Sequence, residues 1–365
     1  MRMLIVEDNE ETVRGIFDYA EDNSWECRSC DFENAKENIA LFDPEIVIMD
    51  WMYDAEDIDR GKPIFEDIYN NEFRPVIIFS AVAKTIELPE NIVNTPLIEI
   101  VQKGDEQVVI DRVEEWKPYI SAVRNLKAEL NNSLLTSVQA IDNFMKMPEY
   151  PGDDVVKYML NKRTTFYFDK NYIAPEPPAW IQYEYPPVQD NLLVADVLRR
   201  YSESTDIHTP GDPREYCVIL TPSCDMAWGK AGQIILIASC QPANTFSNDA
   251  RLAKGESLED KKGKEKKEKL ISSLHTGYNY AKVALPELPN KIPYMTIDLK
   301  KIEQISLAEI ATSEKVIDQN TKFYRVASMN SPFREQIVWA HMINSCRPGM
   351  PDRDMNTWAE GILLQ

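Results

Sequence analysis

The stretch Pro44-Glu45-Ile46-Val47-Ile48-Met49-Asp50 decides how the first part of this chain folds. Four consecutive apolar residues closing on a carboxylate predict a short strand buried on both faces, as in a parallel sheet. Asp50 then stands at the strand's carboxyl end, and ligands of open α/β sheets bind in the crevice outside those ends. Three neighbouring stretches repeat the form. Met3-Leu4-Ile5-Val6 runs into Glu7 and Asp8, Pro75-Val76-Ile77-Ile78-Phe79 into Ser80, and Leu97-Ile98-Glu99-Ile100-Val101 reaches Lys103 two residues on. Between them apolar residues recur at helical spacing, as in Val13, Ile16, Phe17 and Ala20, in Ala35, Ile39 and Phe42, and in Ile64, Phe65, Ile68 and Tyr69. This βαβα alternation predicts an α/β fold with a doubly wound, five-stranded parallel sheet and right-handed crossovers.

The strand ends bring together carboxylates, a hydroxyl and an ammonium. Carboxylates gathered at one point repel one another and stay ionised together only beside a cation, and hard oxygen ligands with open positions suit Mg²⁺. Lys103 adds positive charge and Ser80 a hydrogen-bond donor. Those groups can hold a phosphoryl oxygen while Asp50 attacks phosphorus and becomes an aspartyl phosphate.

Through Leu4-Ile5-Val6-Glu7-Asp8-Asn9, Val47-Ile48-Met49-Asp50, Val76-Ile77-Ile78-Phe79-Ser80-Ala81 and Gln102-Lys103-Gly104, the chain resembles the receiver domain of two-component response regulators. The resemblance implies that Asp50 accepts a phosphoryl group from a histidine kinase or phosphotransfer protein. It implies that Glu7, Asp8, Asp50 and the Met52 carbonyl bind Mg²⁺, with Ser80 as switch hydroxyl, Lys103 as phosphate-pairing lysine and small Ala81 leaving the phosphoryl group room. A bacterial, cytoplasmic phosphorelay protein follows from it. Three features depart from the family pattern. Ile100 stands where receivers carry a switch aromatic, Gly104 replaces the usual Pro, and the loop after Asp50 is longer and carries Asp54, Glu56, Asp57 and Asp59 before Arg60-Gly61. The main expectation is a receiver that switches a non-enzymatic output or interaction domain; the alternatives are a phosphorylation-controlled enzyme whose C-terminal domain acts through Cys224, and a receiver-shaped module used only for docking.

A chain of 365 residues has room for two or three domains. No apolar stretch approaches membrane-spanning length, and the short run Met3 to Val6 ahead of acidic residues is not a signal peptide, so a soluble protein without membrane contact is expected. Six Cys at irregular positions suit a reducing compartment, and the Cys27/Cys30 pair reads as packing, not redox or zinc chemistry. The net charge of −20 is uneven: residues 1–150 hold 32 acidic against 14 basic residues, and the remainder 28 against 26. An acidic surface disfavours nucleic acid, whose affinity rests on neutralising phosphates, and no concentrated recognition helix stands out in the second half. A DNA-binding output is therefore not expected.

After Lys103 a final receiver helix is predicted from Glu106 to Lys117, with a break at Lys117-Pro118 and a second helix from Pro118 to about Lys146. Heptad steps from Val109 meet Val113, Trp116, Ile120, Val123, Lys127, Leu130, Leu134, Ser137, Ile141 and Phe144, nearly all apolar. That stripe fits either a homodimeric coiled coil through residues 118–147 or a helix packed along its own effector domain. The expected domains are thus a receiver at 1–117, a helical linker at 118–147 and a mostly β (α+β) output domain at 148–365, set off by Met147 to Asp153.

In the output domain Thr164 to Phe168, Tyr216 to Leu220, Gln233 to Ala238, Tyr280 to Leu285, Tyr294 to Leu299 and Lys322 to Ala327 read as strands, and Pro332 begins a helix. The Pro- and aromatic-rich run from Pro175 to Pro187 reads as an ordered loop or a polyproline ligand, and the charge run Lys254 to Lys269 as a solvated loop or exposed helix. Arg347, Arg353, Asp352 and Asp354 read as mutual ion pairs or an anion clamp. The most distinctive motif is Thr221-Pro222-Ser223-Cys224-Asp225, weakly similar to a Cys-Asp signature of uncharacterised bacterial domains that follow receiver-like modules. Cys224 is a nucleophile if one of His208, His275 or His341 lowers its pKa, a zinc ligand with Cys217 and Cys240, or simply a small residue beside the turn-capping Asp225.

Overall fold

The computed structural model describes residues 1–52, 60–71, 73–88, 92, 95–145, 152–171, 177–227, 234–346 and 353–364. Strands β1 (Arg2–Val6), β2 (Glu26–Cys30), β3 (Ile46–Met49), β4 (Val76–Ser80) and β5 (Ile98–Gln102) form one parallel sheet in the order β2-β1-β3-β4-β5. All four residues of β3 are buried, as a strand covered on both faces must be. Helices α1 (Arg14–Asp22), α2 (Ala35–Phe42), α3 (Lys62–Asn71) and α4 (Glu106–Met145) supply the cover. Met3, Ile5, Ile48 and Phe79 pack against Val13 just ahead of α1, Ile16 of α1, and Val109, Val113, Trp116 and Ile120 of α4. Leu4, Val6, Val47 and Ile78 face the other way, onto Ala35, Ile39, Ile64, Phe65 and Ile68 of α2 and α3. The unit is the expected doubly wound α/β fold, and its strand order is the flavodoxin-like one.

Cys27 and Cys30 lie three apart on β2, so the pleat sends them into opposite cores, where burial raises both thiols, Cys27 to about 12 and Cys30 to about 11. Their separation supports the packing reading.

The helix break expected at Pro118 does not occur: α4 runs unbroken for 40 residues. A proline inside a helix costs about 3 kcal/mol or more, through one lost hydrogen bond and a ring clash. Here Pro118 faces solvent, while Trp116 and Ile120 on either side are buried against the sheet and hold both segments on one axis. Burying two large apolar side chains at roughly 1.5–3 kcal/mol each outweighs that cost.

Thr164 to Phe168, expected as a strand, lie in the helix α5 (Asp153–Asn171), which packs against α4. β-branched and aromatic residues favour strands only weakly, and the flank of α4 overrides the preference. The chain divides into two compact units after Ile173, later than the expected boundary at 147/148, because α5 belongs with α4.

In the second unit β6 (Tyr183–Glu184), β7 (Val197–Arg200), β8 (Tyr216–Ile219), β9 (Ile234–Pro242), β10 (Lys282–Leu285), β11 (Met295–Ser306), β12 (Ile310–Ala311) and β13 (Phe323–Met329) build one sheet. Its order is β10-β11-β9-β8-β7-β13-β12, with β6 on β13, and only β12 and β13 pair parallel. Helices α6 (Ser223–Met226), α7 (Lys261–Thr276), α8 (Phe333–Ser345) and α9 (Met355–Leu363) complete the mostly β unit. Both sheet faces are covered: Val218, Cys240, Ile297, Val326 and Ile337 lie in one core, Leu198, Cys217, Ile219, Ile237 and Phe323 in the other. A buried ion pair joins Asp196, just before β7, to β13, with Arg325 Nη1 at 3.3 Å from Asp196 Oδ2 and the guanidinium also donating to the carbonyls of Gln189, Asn191 and Thr312. The charge run folds in part as α7. Asp54, Glu56, Asp57, Asp59, Pro175, Arg347 and Asp352 lie outside the described residues. Among the described residues no helix is long and apolar enough to cross a membrane.

Candidate functional site

Because β1 and β3 are neighbours, the residues that follow them arrive together at the point where the strand order reverses. The Asp50 N–H donates to the Val6 carbonyl at 2.9 Å, and the Glu7 N–H to the Cys30 carbonyl at 3.0 Å, which fixes both strand ends. Asp50 and Glu7 are buried, at 5% and 6% exposure.

The Asp50 carboxylate is held on both oxygens. Its Oδ1 accepts from the backbone N–H groups of Trp51 at 2.7 Å and Met52 at 3.2 Å, and Lys103 Nζ reaches its Oδ2 at 2.6 Å. The same ammonium lies 2.7 Å from Glu7 Oε2. Burial works to lower the Lys103 pKa, but the hydrogen bonds and charges of Asp50 and Glu7 overcome it and hold the ammonium above the ordinary lysine range. Asp8 is more exposed, and desolvation, then the Asp31 carboxylate, raise its pKa, with Asp50 adding to the effect.

Ser80 ends β4 beside β5, where its carbonyl accepts from the Lys103 N–H at 3.1 Å. Its side chain is fully buried, and its Oγ has no hydrogen-bond partner among the described residues. A buried hydroxyl without a partner costs roughly 1–3 kcal/mol, a cost that an acceptor brought to Ser80 would remove.

The donor set suits Mg²⁺. Glu7 and Asp50 share the Lys103 ammonium, and Asp8 feels the charges of both Asp50 and Lys103, so hard carboxylate oxygens dominate this end of the sheet. Among the described residues no three His, Cys, Asp or Glu side chains are drawn together closely enough to hold an ion, and Lys103 stands between two of the acids.

Gly61 is a site residue that sequence reasoning passed over. Its N–H donates to the Trp51 carbonyl at 2.9 Å, and a Cβ there would fall 2.6 Å from the Asp50 carbonyl oxygen and 2.9 Å from Trp51 Cα. Only glycine lets the chain return that close behind the Asp50 backbone. The adjacent Arg60-Gly61 pair after an acidic loop was the available signal. Trp51, buried next to Asp50, packs on Phe65 with ring centroids 5.8 Å apart. Ile100 is half-buried against the α2 and α3 face of the sheet.

The second sequence-predicted site does not converge in this way. Cys224 is exposed on the four-residue α6, and its Sγ lies 3.6 Å from Asp225 Oδ1. Among the described residues no histidine is bonded to it; His341 bonds Ser345, and burial lowers its pKa. Cys217 and Cys240 lie in opposite cores, which separates them from any shared metal. Ser223 and Thr221 are structural acceptors, taking the N–H groups of Val194 at 2.9 Å and Leu236 at 2.7 Å.

No protein-family model matches the chain. No curated protein matches it either. Among solved structures it is similar to the N-terminal domain of a response regulator/sensory box/GGDEF three-domain protein from Carboxydothermus hydrogenoformans, with 23% identity over 34% of this chain and 99% of that one and a TM-score of 0.28. It is also similar to the response regulator TrrA from Thermotoga maritima in complex with Mg²⁺-BeF (15% identity, 31% of this chain and 96% of that one, TM-score 0.24). A third is the pseudo-receiver domain of CikA (16% identity, 31% and 94%, TM-score 0.23). The class of the first unit, a doubly wound α/β module with an acidic pocket at its switch point, rests on its own strand order and side chains.

Proposed function

We propose that the first unit is a phosphoryl-accepting receiver that controls the second unit. The observation that carries the reading is the meeting of Asp50, Glu7 and Lys103 with the unpartnered Ser80 hydroxyl at the carboxyl end of the parallel sheet. A carboxylate oxygen of Asp50 forms a bond to phosphorus as the phosphorus–nitrogen bond of a phosphohistidine breaks, its electron pair leaving with the imidazole of a histidine kinase or phosphotransfer protein. The Trp51 and Met52 N–H groups orient the carboxylate for that attack. Mg²⁺, held by Glu7, Asp8, Asp50 and the Met52 carbonyl, would neutralise phosphoryl charge. Lys103 then has a phosphoryl oxygen to pair with in place of Glu7, and Ser80 Oγ gains an acceptor.

The new charge changes the surface at this end of the sheet, and that change is the signal passed on. In this reading the second unit is a non-enzymatic interaction module that does not bind DNA. Intact-mass analysis of the full chain with Mg²⁺ and a small phosphodonor tests the proposal. Wild type gains one phosphoryl group and Asp50→Asn gains none; equal uptake by both, or none by either, overturns it.

A further inference from the structure

The α4 and α5 helices form a hairpin. Lys162, Arg163, Phe166 and Tyr167 of α5 line one cleft with Thr136 and Ser137 of α4, so the two helices run back along each other from the connection between them. This hairpin lacks a core of its own. Among its described side chains none in α5 is fully buried, and the α4 residues buried beyond the receiver core are Ser133, Ser137 and Ile141. Among the described residues the hydroxyls of Ser133 and Thr164 have no hydrogen-bond partner. Outward, by contrast, α4 presents Leu126, Leu130, Leu134 and Val138, each four residues from the last, at 56%, 39%, 39% and 51% exposure. Such a series is one continuous ridge, about 18 Å long at 1.5 Å per residue. On α5, Val155, Tyr158 and Phe166 share one face and are 42%, 62% and 70% exposed.

Helices of this kind draw their stability from packing an apolar face, and this pair has left its larger apolar surface in water. Charge indicates what covers it. Residues 1–120 hold 29 acidic against 11 basic residues, a net −18, while residues 121–171 hold six acidic against seven basic, a net +1. Within the first unit, two copies repel through their receiver bodies and meet without that repulsion through the hairpin. A ridge on one copy and the same ridge on another are self-complementary, as a two-fold interface requires. We infer that two copies pack their α4–α5 hairpins into a four-helix bundle with Leu126, Leu130, Leu134 and Val138 of each at its centre. The bundle stands apart from the phosphoryl chemistry of Asp50.

Light scattering of the full chain is the test, over a range of concentrations. Wild type and Asp50→Asn give twice the 42.0 kDa chain mass, and Leu130→Glu/Leu134→Glu gives the single mass with its helix content kept. Co-expressed with a Leu130→Lys/Leu134→Lys copy, the Glu copy returns to a dimer, because opposite charges then face each other across the ridge. If the Glu copy alone loses its fold, recovery of a folded dimer with the Lys copy supports the bundle, and no recovery overturns it. Wild type at the single mass at every concentration, or a Glu copy that stays dimeric, also overturns it. A wild type that is already monomeric and is destabilised by the Glu substitutions assigns the ridge to another part of the same chain and refutes the exchange between copies.

Discussion

The carboxyl end of the parallel sheet and the Thr221 to Asp225 corner carry comparable chemistry on paper, and the fold treats them differently. At the first, residues from three separate strand ends converge, and Asp50 and Glu7 are nearly removed from water and share one ammonium. At the second, an equally reactive residue type, Cys224, sits in solvent on one short helix with a carboxylate as its neighbour. Reactivity depends on groups that reach one point from distant parts of the sequence and are shielded together, since only there do fixed charges act at low dielectric. A distinctive local motif supplies none of that by itself.

The sharpest way to break the comparison is substitution at both places. Asp50→Asn should abolish phosphoryl uptake outright, and Cys224→Ser should leave uptake and stability unchanged within about 0.5 kcal/mol, as for an exposed position. Loss of uptake in the Cys224 variant would put the chemistry in the wrong unit.

Stability sharpens it next. Asp196→Ala leaves the Arg325 guanidinium buried without its counter-charge, and denaturant unfolding should show a loss of about 3–5 kcal/mol in the second unit. Gly61→Ala forces a methyl group against the Asp50 backbone and should cost about 1–3 kcal/mol in the first unit, with weaker phosphoryl uptake. Arg124 pairs with Glu45 at 3.2 Å but is half-exposed, so Arg124→Ala should cost at most about 1 kcal/mol.

The smallest effect is one of pH. Burial works to raise the Asp43 pKa, yet the hydrogen bonds from Arg74 and Arg2 prevail and hold it below its ordinary 3.8. Its contribution to stability is therefore complete above the unfolded-state value and fades as the pH falls through the lower folded-state value. An Asp43→Asn variant should show a flatter loss of stability than wild type in acid titrations below about pH 4.

The placement of Glu7, Asp50 and Ser80 at strand ends was legible in the sequence because each closes an apolar run, and buried parallel strands leave that pattern in the chain. Asp8 follows Glu7 and Lys103 lies two residues past Val101, so their places came from the same runs, while the roles of all five belong to the proposed function. Gly61 was not legible as a site residue, since its role comes from a close approach to the Asp50 backbone that only the folded loop creates. The errors at Pro118 and at Thr164 to Phe168 share a cause: local preference was overridden by packing, on the sheet through Trp116 and Ile120 and on α4 for α5. The heptad stripe fitted either a coiled-coil seam or packing along the chain's own effector domain, but it changes surroundings along its length: Val109, Val113, Trp116 and Ile120 pack on the sheet, Leu130 and Leu134 are exposed, and Ser137 lines a cleft with α5.

The most direct measurement of the central claim locates the modified atom. An aspartyl phosphate is reduced by borohydride to homoserine, so phosphodonor-treated protein can be reduced, digested and sequenced by mass spectrometry. The account predicts homoserine at position 50 and at no other Asp, with Cys224 unmodified. Homoserine elsewhere, phosphate on Cys224, or no homoserine in protein treated with Mg²⁺ and phosphodonor would contradict it.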